Sequence, residues 1–142
     1  MKQDLVKHWM TRDVITITPD TSLHEAHRLM TEKSIRRLPV VDHHGKVVGI
    51  ITLGDVRSAE PSAASTLSVW EMNKLLAGLK IAEIMTRDPV TISQEATIST
   101  VAEIMLEQKF SGLPVVDEQG KLVGIITESD IFRLVVREWG RN

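Results

Sequence analysis

The stretch LPVVDHHGKVVGIIT at residues 38–52 returns almost unchanged as LPVVDEQGKLVGIIT at residues 113–127. Twelve of the fifteen positions are identical, at a constant offset of 75 residues. The same offset, applied to residues 10–57 and 85–132, aligns 21 identical pairs out of 48 without a gap. An internal repeat of this kind predicts that one structural unit is built twice.

Each copy has the same order of local patterns. A short β-branched stretch comes first, at residues 14–17 and 90–92, and apolar residues at helical spacing follow it. Two β-rich runs separated by a D-x-x-G turn then predict a hairpin. A last helix begins after Thr52 in copy one and after Thr127 in copy two. The predicted fold class is α+β, with two tandem β-α-β-β-α repeats packed with pseudo-two-fold symmetry around a cleft.

The predicted organisation places repeat 1 at residues 6–60 and repeat 2 at residues 81–138. Residues 61–80 between them form a linker that begins with a Ser/Ala/Pro-rich stretch. From about Ser65 the linker has apolar residues at helical spacing, Trp70 among them, so an amphipathic helix with a buried face is predicted there.

Composition narrows the class of protein. The 142-residue chain has a net charge of −2 and no cysteine, so nucleic acid is not an expected partner and thiol chemistry is excluded. No apolar run is long enough to span a bilayer and no signal-peptide pattern is present, so a cytoplasmic location without membrane contact is expected. Catalytic motifs are absent and the five histidines lack metal-ligand spacing, so neither an enzyme nor a metal site is expected.

The series M-T-x-D and then L-P-V-V-D-x-x-G-K-x-V-G-I-I-T-x-x-D, present twice, resembles a tandem pair of cystathionine-β-synthase-type (CBS) domains. The resemblance covers nearly the whole chain apart from its ends and the linker. Pairs of this family bind adenosine-containing ligands such as AMP, ADP, ATP, S-adenosylmethionine or NAD between the repeats, and often form disc-like dimers. The resemblance implies an energy-sensing regulatory module that forms a homodimer, with an adenine nucleotide as regulatory ligand and no resident cofactor.

The T-x-x-D motif, with Thr52 and Asp55 in copy one and Thr127 and Asp130 in copy two, is the first part of the predicted site. The resemblance assigns this motif to the nucleotide, and a carboxylate can accept hydrogen bonds from two ribose hydroxyls. The same spacing is also that of a capping box, which many helix starts use. Both roles can hold together.

The predicted phosphate contacts are Arg36 and Arg37, immediately before the first LPVV run. In nucleotide-binding members of the family, basic residues in these two positions contact phosphates, and two guanidinium groups suit a phosphate better than an uncharged adenosyl ligand. Copy two has Ser111 and Gly112 there instead. Either one site binds well and the other weakly, or both use the same arginine pair; a solvated arginine pair is the remaining interpretation.

The predicted adenine contacts lie on the first strand or the LPVV strand of each copy, where apolar surface and backbone groups beside a proline can face a base. They are Thr16, Ile17, Pro39, Thr91, Ile92 and Pro114. The alternative is that these are core strand residues only. Arg57 and Arg133 on the last helices are either secondary phosphate contacts or surface residues.

The leading hypothesis is a regulatory module that senses AMP, ADP or ATP in the cleft between the repeats. Because the chain ends soon after repeat 2, such a module is expected to act in trans on an unknown protein target. One alternative is a ligand-free oligomeric interaction scaffold that uses the Trp70 helix and the last helices. The other alternative is a sensor of S-adenosylmethionine or NAD.

Overall fold

The computed structural model describes residues 4–60, 68–71 and 78–140. The helices of this part of the chain are α1 (Val6–Trp9), α2 (Leu23–Lys33), α3 (Leu53–Ala59), α4 (Ile98–Gln108) and α5 (Glu128–Trp139), with a 3-10 turn at Ile81–Glu83. The strands are β1 (Arg37–Val41), β2 (Val47–Thr52), β3 (Thr86–Arg87), β4 (Ile92–Ser93), β5 (Gly112–Val116) and β6 (Leu122–Thr127). The α+β class predicted from the sequence is confirmed.

The described residues divide into two compact units. The first-repeat unit comprises Ile15–Pro89, and the second-repeat unit combines the described residues up to Val14 with those from Val90 onwards. Each unit contains one three-stranded sheet, with the strand order β1-β2-β3 in the first and β4-β5-β6 in the second. The repeat extents 6–60 and 81–138 describe sequence similarity and stay predictions, since packing divides the chain at other positions.

The predicted hairpins are confirmed in both units. β1 pairs antiparallel with β2, starting from Arg37 opposite Thr52, and β5 pairs with β6, starting from Gly112 opposite Thr127. Each hairpin has a register shift one residue before its turn, at the same place in both copies. The repeated sequence therefore specifies the same strand register twice.

The D-x-x-G turns close both hairpins in the same way. The Asp42 carboxylate accepts two backbone N–H groups of its turn at 2.8 and 3.0 Å, and the Asp117 carboxylate accepts two at 2.9 Å. These bonds, led by the one from the Lys46 N–H, lower the pKa of Asp42 below its ordinary value. Gly45 and Gly120 follow with φ values of +81° and +82°, a conformation that favours glycine.

The predicted first strand is shorter than the sequence pattern indicates. Ile17 forms a single parallel bridge with Val40: its N–H donates to the Pro39 carbonyl at 3.1 Å, and its carbonyl accepts the Val41 N–H at 2.9 Å. The next bond towards the N-terminus would require an N–H at Pro39, which proline lacks. The proline of LPVV therefore stops this pairing from extending towards the N-terminus.

The outer edge of each hairpin pairs with a segment that the repeat pattern assigned to the other copy, through an isolated bridge in the second-repeat unit and through β3 in the first. The N–H groups of Thr11 and Ile125 each donate to the carbonyl of the other residue at 2.9 Å, which adds Thr11 to the edge of β6. Thr86 in β3 lies opposite Ile50 in β2 in the equivalent register. Each M-T-R-D segment thus packs on the hairpin of the opposite sequence repeat, an exchange that the sequence did not predict.

The glycine of each V-G-I-I run makes this exchange possible. A Cβ added at Gly124 would lie 2.7 Å from Met10 Sδ and 2.8 Å from the Thr11 carbonyl oxygen. A Cβ added at Gly49 would lie 2.5 Å from Met85 Sδ. The exchanged methionine can pack on the strand only where the strand residue has no side chain.

Each unit has its own hydrophobic core. In the first-repeat unit one face of α2 packs on the inner face of the hairpin, and the fully buried members are Leu23, Ala26, Leu38, Val40, Ile51, Val56 and Ile81. In the second-repeat unit the equivalent core includes Val6 and Met10, which align with Ile81 and Met85 of the first-repeat core. Complete burial of one aliphatic side chain contributes about 1.5–3 kcal/mol, so the exchanged segments contribute directly to stability.

The predicted linker helix lies mostly outside the described residues, including its start at Ser65. Trp70, for which burial was predicted, is 69% exposed. Leu79, near the end of the linker, packs against the core of the first-repeat unit. No helix of the described residues has the length and apolar character that a membrane span requires.

Candidate functional site

In the first-repeat unit, the backbone brings the arginine pair to the T-x-x-D turn. Arg37 lies opposite Thr52 in the β1–β2 register, and the Leu53 N–H donates to the Arg36 carbonyl at 2.7 Å. The Arg36 side chain is exposed, and Arg37 is half-buried. The residues that the sequence predicted for phosphate and for ribose therefore lie side by side in one unit.

One of the two oxygens of the Asp55 carboxylate is hydrogen-bonded at the start of its own helix. The Thr52 N–H donates to Asp55 Oδ2 at 2.9 Å, and the Asp55 N–H donates to Thr52 Oγ1 at 3.2 Å. This is the capping box that the sequence offered as one interpretation, and it is present. No hydrogen-bond donor within the described ranges occupies Asp55 Oδ1, and the side chain is only half-buried. One carboxylate oxygen thus remains for a ligand.

The second-repeat unit has the same backbone junction with different side chains. Gly112 lies opposite Thr127, and the Glu128 N–H donates to the Ser111 carbonyl at 3.0 Å. The two positions that hold arginines in the first-repeat unit carry no charge here. The geometry is duplicated, and the positive charge is not.

The Asp130 carboxylate is fully engaged by its own chain. Its Oδ2 accepts the Thr127 N–H at 2.9 Å and lies 3.3 Å from Thr127 Oγ1, which also donates to it. Its Oδ1 accepts Arg133 Nη1 at 2.6 Å. Asp130 is 3% exposed and is the buried charged residue of the described chain. The Arg133 side chain is 67% exposed, which agrees with the surface interpretation. The sequence analysis did not include its pairing with Asp130, although the three-residue spacing on a helix could have indicated it.

The residues predicted to contact adenine lie mainly in the cores. Ile17 and Ile92 are 5% and 8% exposed, and Pro39 and Pro114 are buried in the adjacent strands. The backbone N–H and C=O of Ile17 are both used in its bridge to β1. Thr16 is exposed and Thr91 half-exposed, so these two threonines offer accessible side chains. Adenine contact stays a prediction for this set.

The histidines show no arrangement suited to a metal. His27 Nδ1 lies 2.6 Å from Glu60 Oε1, which pairs α2 with the end of α3. Within residues 4–60, 68–71 and 78–140, no group of three His, Cys, Asp or Glu side chains could hold a metal ion.

The comparison with known families decides the assignment. The family model of the CBS domain matches twice, at residues 6–62 and 81–137. This chain belongs to the CBS domain family. It is 37% identical over 133 residues to a CBS domain-containing protein of Dictyostelium discoideum, covering 94% of this chain and 92% of that protein. The tandem CBS-pair fold predicted from the sequence is confirmed.

Relatives of this CBS pair include much longer enzymes. An inosine-5'-monophosphate dehydrogenase of Korarchaeum cryptofilum is 40% identical over 124 residues, which are 87% of this chain and only 23% of that enzyme. The matching segment is therefore an accessory part of such proteins.

Solved CBS pairs with similar folds contain adenosine ligands. The CBS domain pair of protein MJ0100, in complex with 5'-methylthioadenosine and S-adenosyl-L-methionine, has a TM-score of 0.79 and 36% identity, covering 96% of this chain and 99% of that one. CBSX2 of Arabidopsis thaliana in complex with AMP has a TM-score of 0.80 and 29% identity, covering 94% and 97%. CBS pairs of this fold that bind adenosine ligands are thus found among its relatives.

Proposed function

We propose that this CBS pair is a regulatory module that binds AMP, ADP or ATP and acts in trans on a separate protein. The observation that carries the proposal is the backbone junction between Arg36 and Leu53, 2.7 Å from oxygen to nitrogen. This junction joins the backbone of the arginine pair to the start of the helix that carries Asp55, which supports a shared role for the three residues. A nucleotide needs the same pair of functions, cations for its phosphates and an acceptor for its ribose hydroxyls.

Each side chain has a defined part in the proposed site. Asp55 Oδ1 accepts a ribose hydroxyl while Oδ2 keeps its bond to the Thr52 N–H. Arg36 and Arg37 donate to the phosphate oxygens, and charge-assisted bonds of this type contribute about 1.5–3 kcal/mol each. The AMP complex of CBSX2 supports an adenine phosphate as ligand of this fold.

Binding acts on a target only through a difference in affinity. A nucleotide shifts the module towards whichever conformation binds it more tightly, and a partner that prefers that conformation responds. A homodimer and a cytoplasmic location are parts of the same proposal. Sedimentation velocity at several concentrations tests the dimer directly.

A sensor of S-adenosylmethionine is the second candidate. The MJ0100 pair, which binds this ligand and 5'-methylthioadenosine, is 36% identical to this chain. The Ser111 and Gly112 positions of the second-repeat unit also provide no positive charge for a phosphate. NAD, with its two phosphates and adenosine, remains in the panel of ligands to test.

An oligomeric scaffold without ligand is the third candidate. The outer face of α5 exposes Phe132, Val136 and Trp139 by 63%, 68% and 72%. Apolar side chains clustered on one exposed face are typical of interaction surfaces. A tight dimer that no nucleotide stabilises would favour this candidate.

Thermal unfolding of the purified chain tests the proposal. AMP, ADP, ATP, NAD and S-adenosylmethionine are compared with GMP, each at about 100 times its dissociation constant or at millimolar concentration. A ligand that binds only the folded state at 100 times Kd stabilises it by about 2.7 kcal/mol, which raises Tm by about 5–10 °C for a chain of this size. We expect the adenine phosphates to produce this rise and GMP to produce much less.

The double variant Arg36→Gln/Arg37→Gln locates the effect. We expect it to lose most of the rise with ATP because both phosphate donors are removed. The control Lys33→Ala/Lys46→Ala removes two exposed positive charges from the same unit and should keep the rise. A response to S-adenosylmethionine alone, unchanged in the double variant, would replace the nucleotide by the second candidate.

A further inference from the structure

We infer that this chain binds one nucleotide tightly, in the first-repeat unit, because Arg133 occupies the Asp130 carboxylate that the second-repeat unit would offer to a ribose. The inference rests on the proposed function and states which of the two T-x-x-D motifs performs it. Arg133 is in this view a specificity-determining residue that acts through Asp130.

Access to the two carboxylates differs. The Asp130 side chain is 4% exposed, and both of its oxygens hold donors from Thr127 and Arg133. A carboxylate has lone pairs beyond those three bonds, but burial prevents a ribose hydroxyl from reaching them. Asp55 is half-buried, and its Oδ1 receives no donor from residues 4–60, 68–71 or 78–140.

The difference arises from one position of the repeat. The residue 75 positions before Arg133 is Ser58, an exposed serine on α3 with no cation to offer Asp55. Arg57, its neighbour, aligns with Phe132 and not with Arg133. The closing contact is therefore present in one copy and cannot form in the other.

Freeing the Asp130 carboxylate from Arg133 costs free energy, and the second-repeat unit has at Ser111 and Gly112 no charged contact to phosphate that would offset this cost. A ribose must displace a 2.6 Å charge-assisted bond before Asp130 can accept it. In the first-repeat unit two arginines compensate a phosphate, whereas Ser111 and Gly112 provide no charge. We expect the second site to bind AMP at least about 30-fold more weakly than the first, which is the scale of one such bond.

Isothermal titration calorimetry with AMP tests this directly. The wild-type chain should bind one AMP per chain. Arg133→Met removes the donor and the charge, keeps an apolar stem on α5, and should produce a second binding event. Arg137→Met is the matched control, since it removes the same charge one turn later on the same exposed helix face and should leave the stoichiometry at one.

Two aspartate variants keep the test decisive if Arg133→Met does not fold. Asp55→Asn should abolish AMP binding in the concentration range where wild type saturates, whereas Asp130→Asn should leave wild-type affinity within about twofold. Circular dichroism melts of both variants establish that they are folded.

The possible outcomes separate this inference from the proposed function. Two tight sites in wild type, or a loss of binding confined to Asp130→Asn, would overturn the inference and leave nucleotide binding intact. One site in both wild type and Arg133→Met would show that Arg133 is not the closing residue. No AMP binding by wild type or any variant would reject the proposed function and the inference together.

Discussion

The two T-x-x-D turns have the same backbone and different chemistry. In each unit the first residue of the last helix donates to a carbonyl before the LPVV run, at 2.7 Å from Leu53 and 3.0 Å from Glu128. One turn pairs through its backbone with two arginine residues and has a carboxylate oxygen without a donor in the described chain. The other pairs with Ser111 and Gly112, and its carboxylate accepts a bond from Arg133. The same backbone therefore carries two different sets of side chains.

This difference shows what a repeated motif does and does not specify. In both copies the backbone N–H of the threonine donates a hydrogen bond to the carboxylate of the aspartate at 2.9 Å. That bond orients the side chain and starts the helix. Whether the carboxylate can also receive a ligand depends on the residue three positions later and on the strand beside it.

The largest effect is expected where the two units are alike. Alanine at Gly124 places a Cβ 2.8 Å from the Thr11 carbonyl oxygen, and the backbone there cannot move without breaking two bonds. We expect Gly124→Ala to lower the free energy of unfolding by about 3 kcal/mol. Gly49→Ala should cost less, about 1–2 kcal/mol, because its nearest neighbour is the flexible Met85 Sδ.

Urea unfolding of the two glycine variants measures this prediction. Gly54→Ala is the control, since its Cβ would have only an ordinary contact of 3.6 Å with Thr52 Oγ1 and lies in α3. It should be neutral or slightly stabilising. Equal stability of Gly124→Ala and wild type would contradict the packing of Met10 on this strand.

An intermediate effect is expected from adding charge to the poorer site. Ser111→Arg in the Arg133→Met background should tighten AMP binding at the second site about 10-fold, the scale of one phosphate contact. Ser111→Arg alone should change the AMP affinity of the second site less than about twofold, because Arg133 still occupies the Asp130 carboxylate. Calorimetry distinguishes the two, with Gln119→Arg in the Arg133→Met background as a control for net charge. A full gain from Ser111→Arg alone would argue against closure by Arg133.

The smallest effect is expected at the hairpin turns, where the units match. Asp42→Ala and Asp117→Ala each remove two bonds of similar length, so the two variants should lose a similar, small amount of stability at pH 7. The lowered pKa of Asp42 means that its contribution is present above its ordinary pKa and is lost as the pH falls through its value in the folded state. The stability difference between wild type and Asp42→Ala should therefore shrink on acidification, as chemical unfolding between pH 7 and pH 3 can measure. A difference that grows on acidification would contradict this prediction.

Local patterns predicted the parts of the fold that depend on local physics. The hairpins, the α+β class and the starts of the last helices follow from turn residues, alternation and the T-x-x-D spacing. The adjacency of Arg36 to Thr52 also follows, because a hairpin with a short turn places the two strand ends side by side. The sequence could thus predict that the residues proposed for phosphate and for ribose in copy one lie close together.

The rest depended on contacts between distant segments. The repeat pattern assigns Thr11 to the copy that follows it, and no local signal indicates that it pairs with Ile125. The closure of Asp130 was missed for a different reason. An arginine three residues along a helix has several available rotamers, and only the burial of Asp130 favours the one that pairs with it.

The exchange of the M-T-R-D segments has an evolutionary consequence. A protein with one repeat would have lacked the pairing that Thr11 or Thr86 provides at the edge of the hairpin, unless a second molecule supplied that segment. Gene duplication and fusion would have converted this pairing between two molecules into a pairing within one chain. Each half depends on the other for this backbone pairing, while the side chains at the two T-x-x-D turns differ.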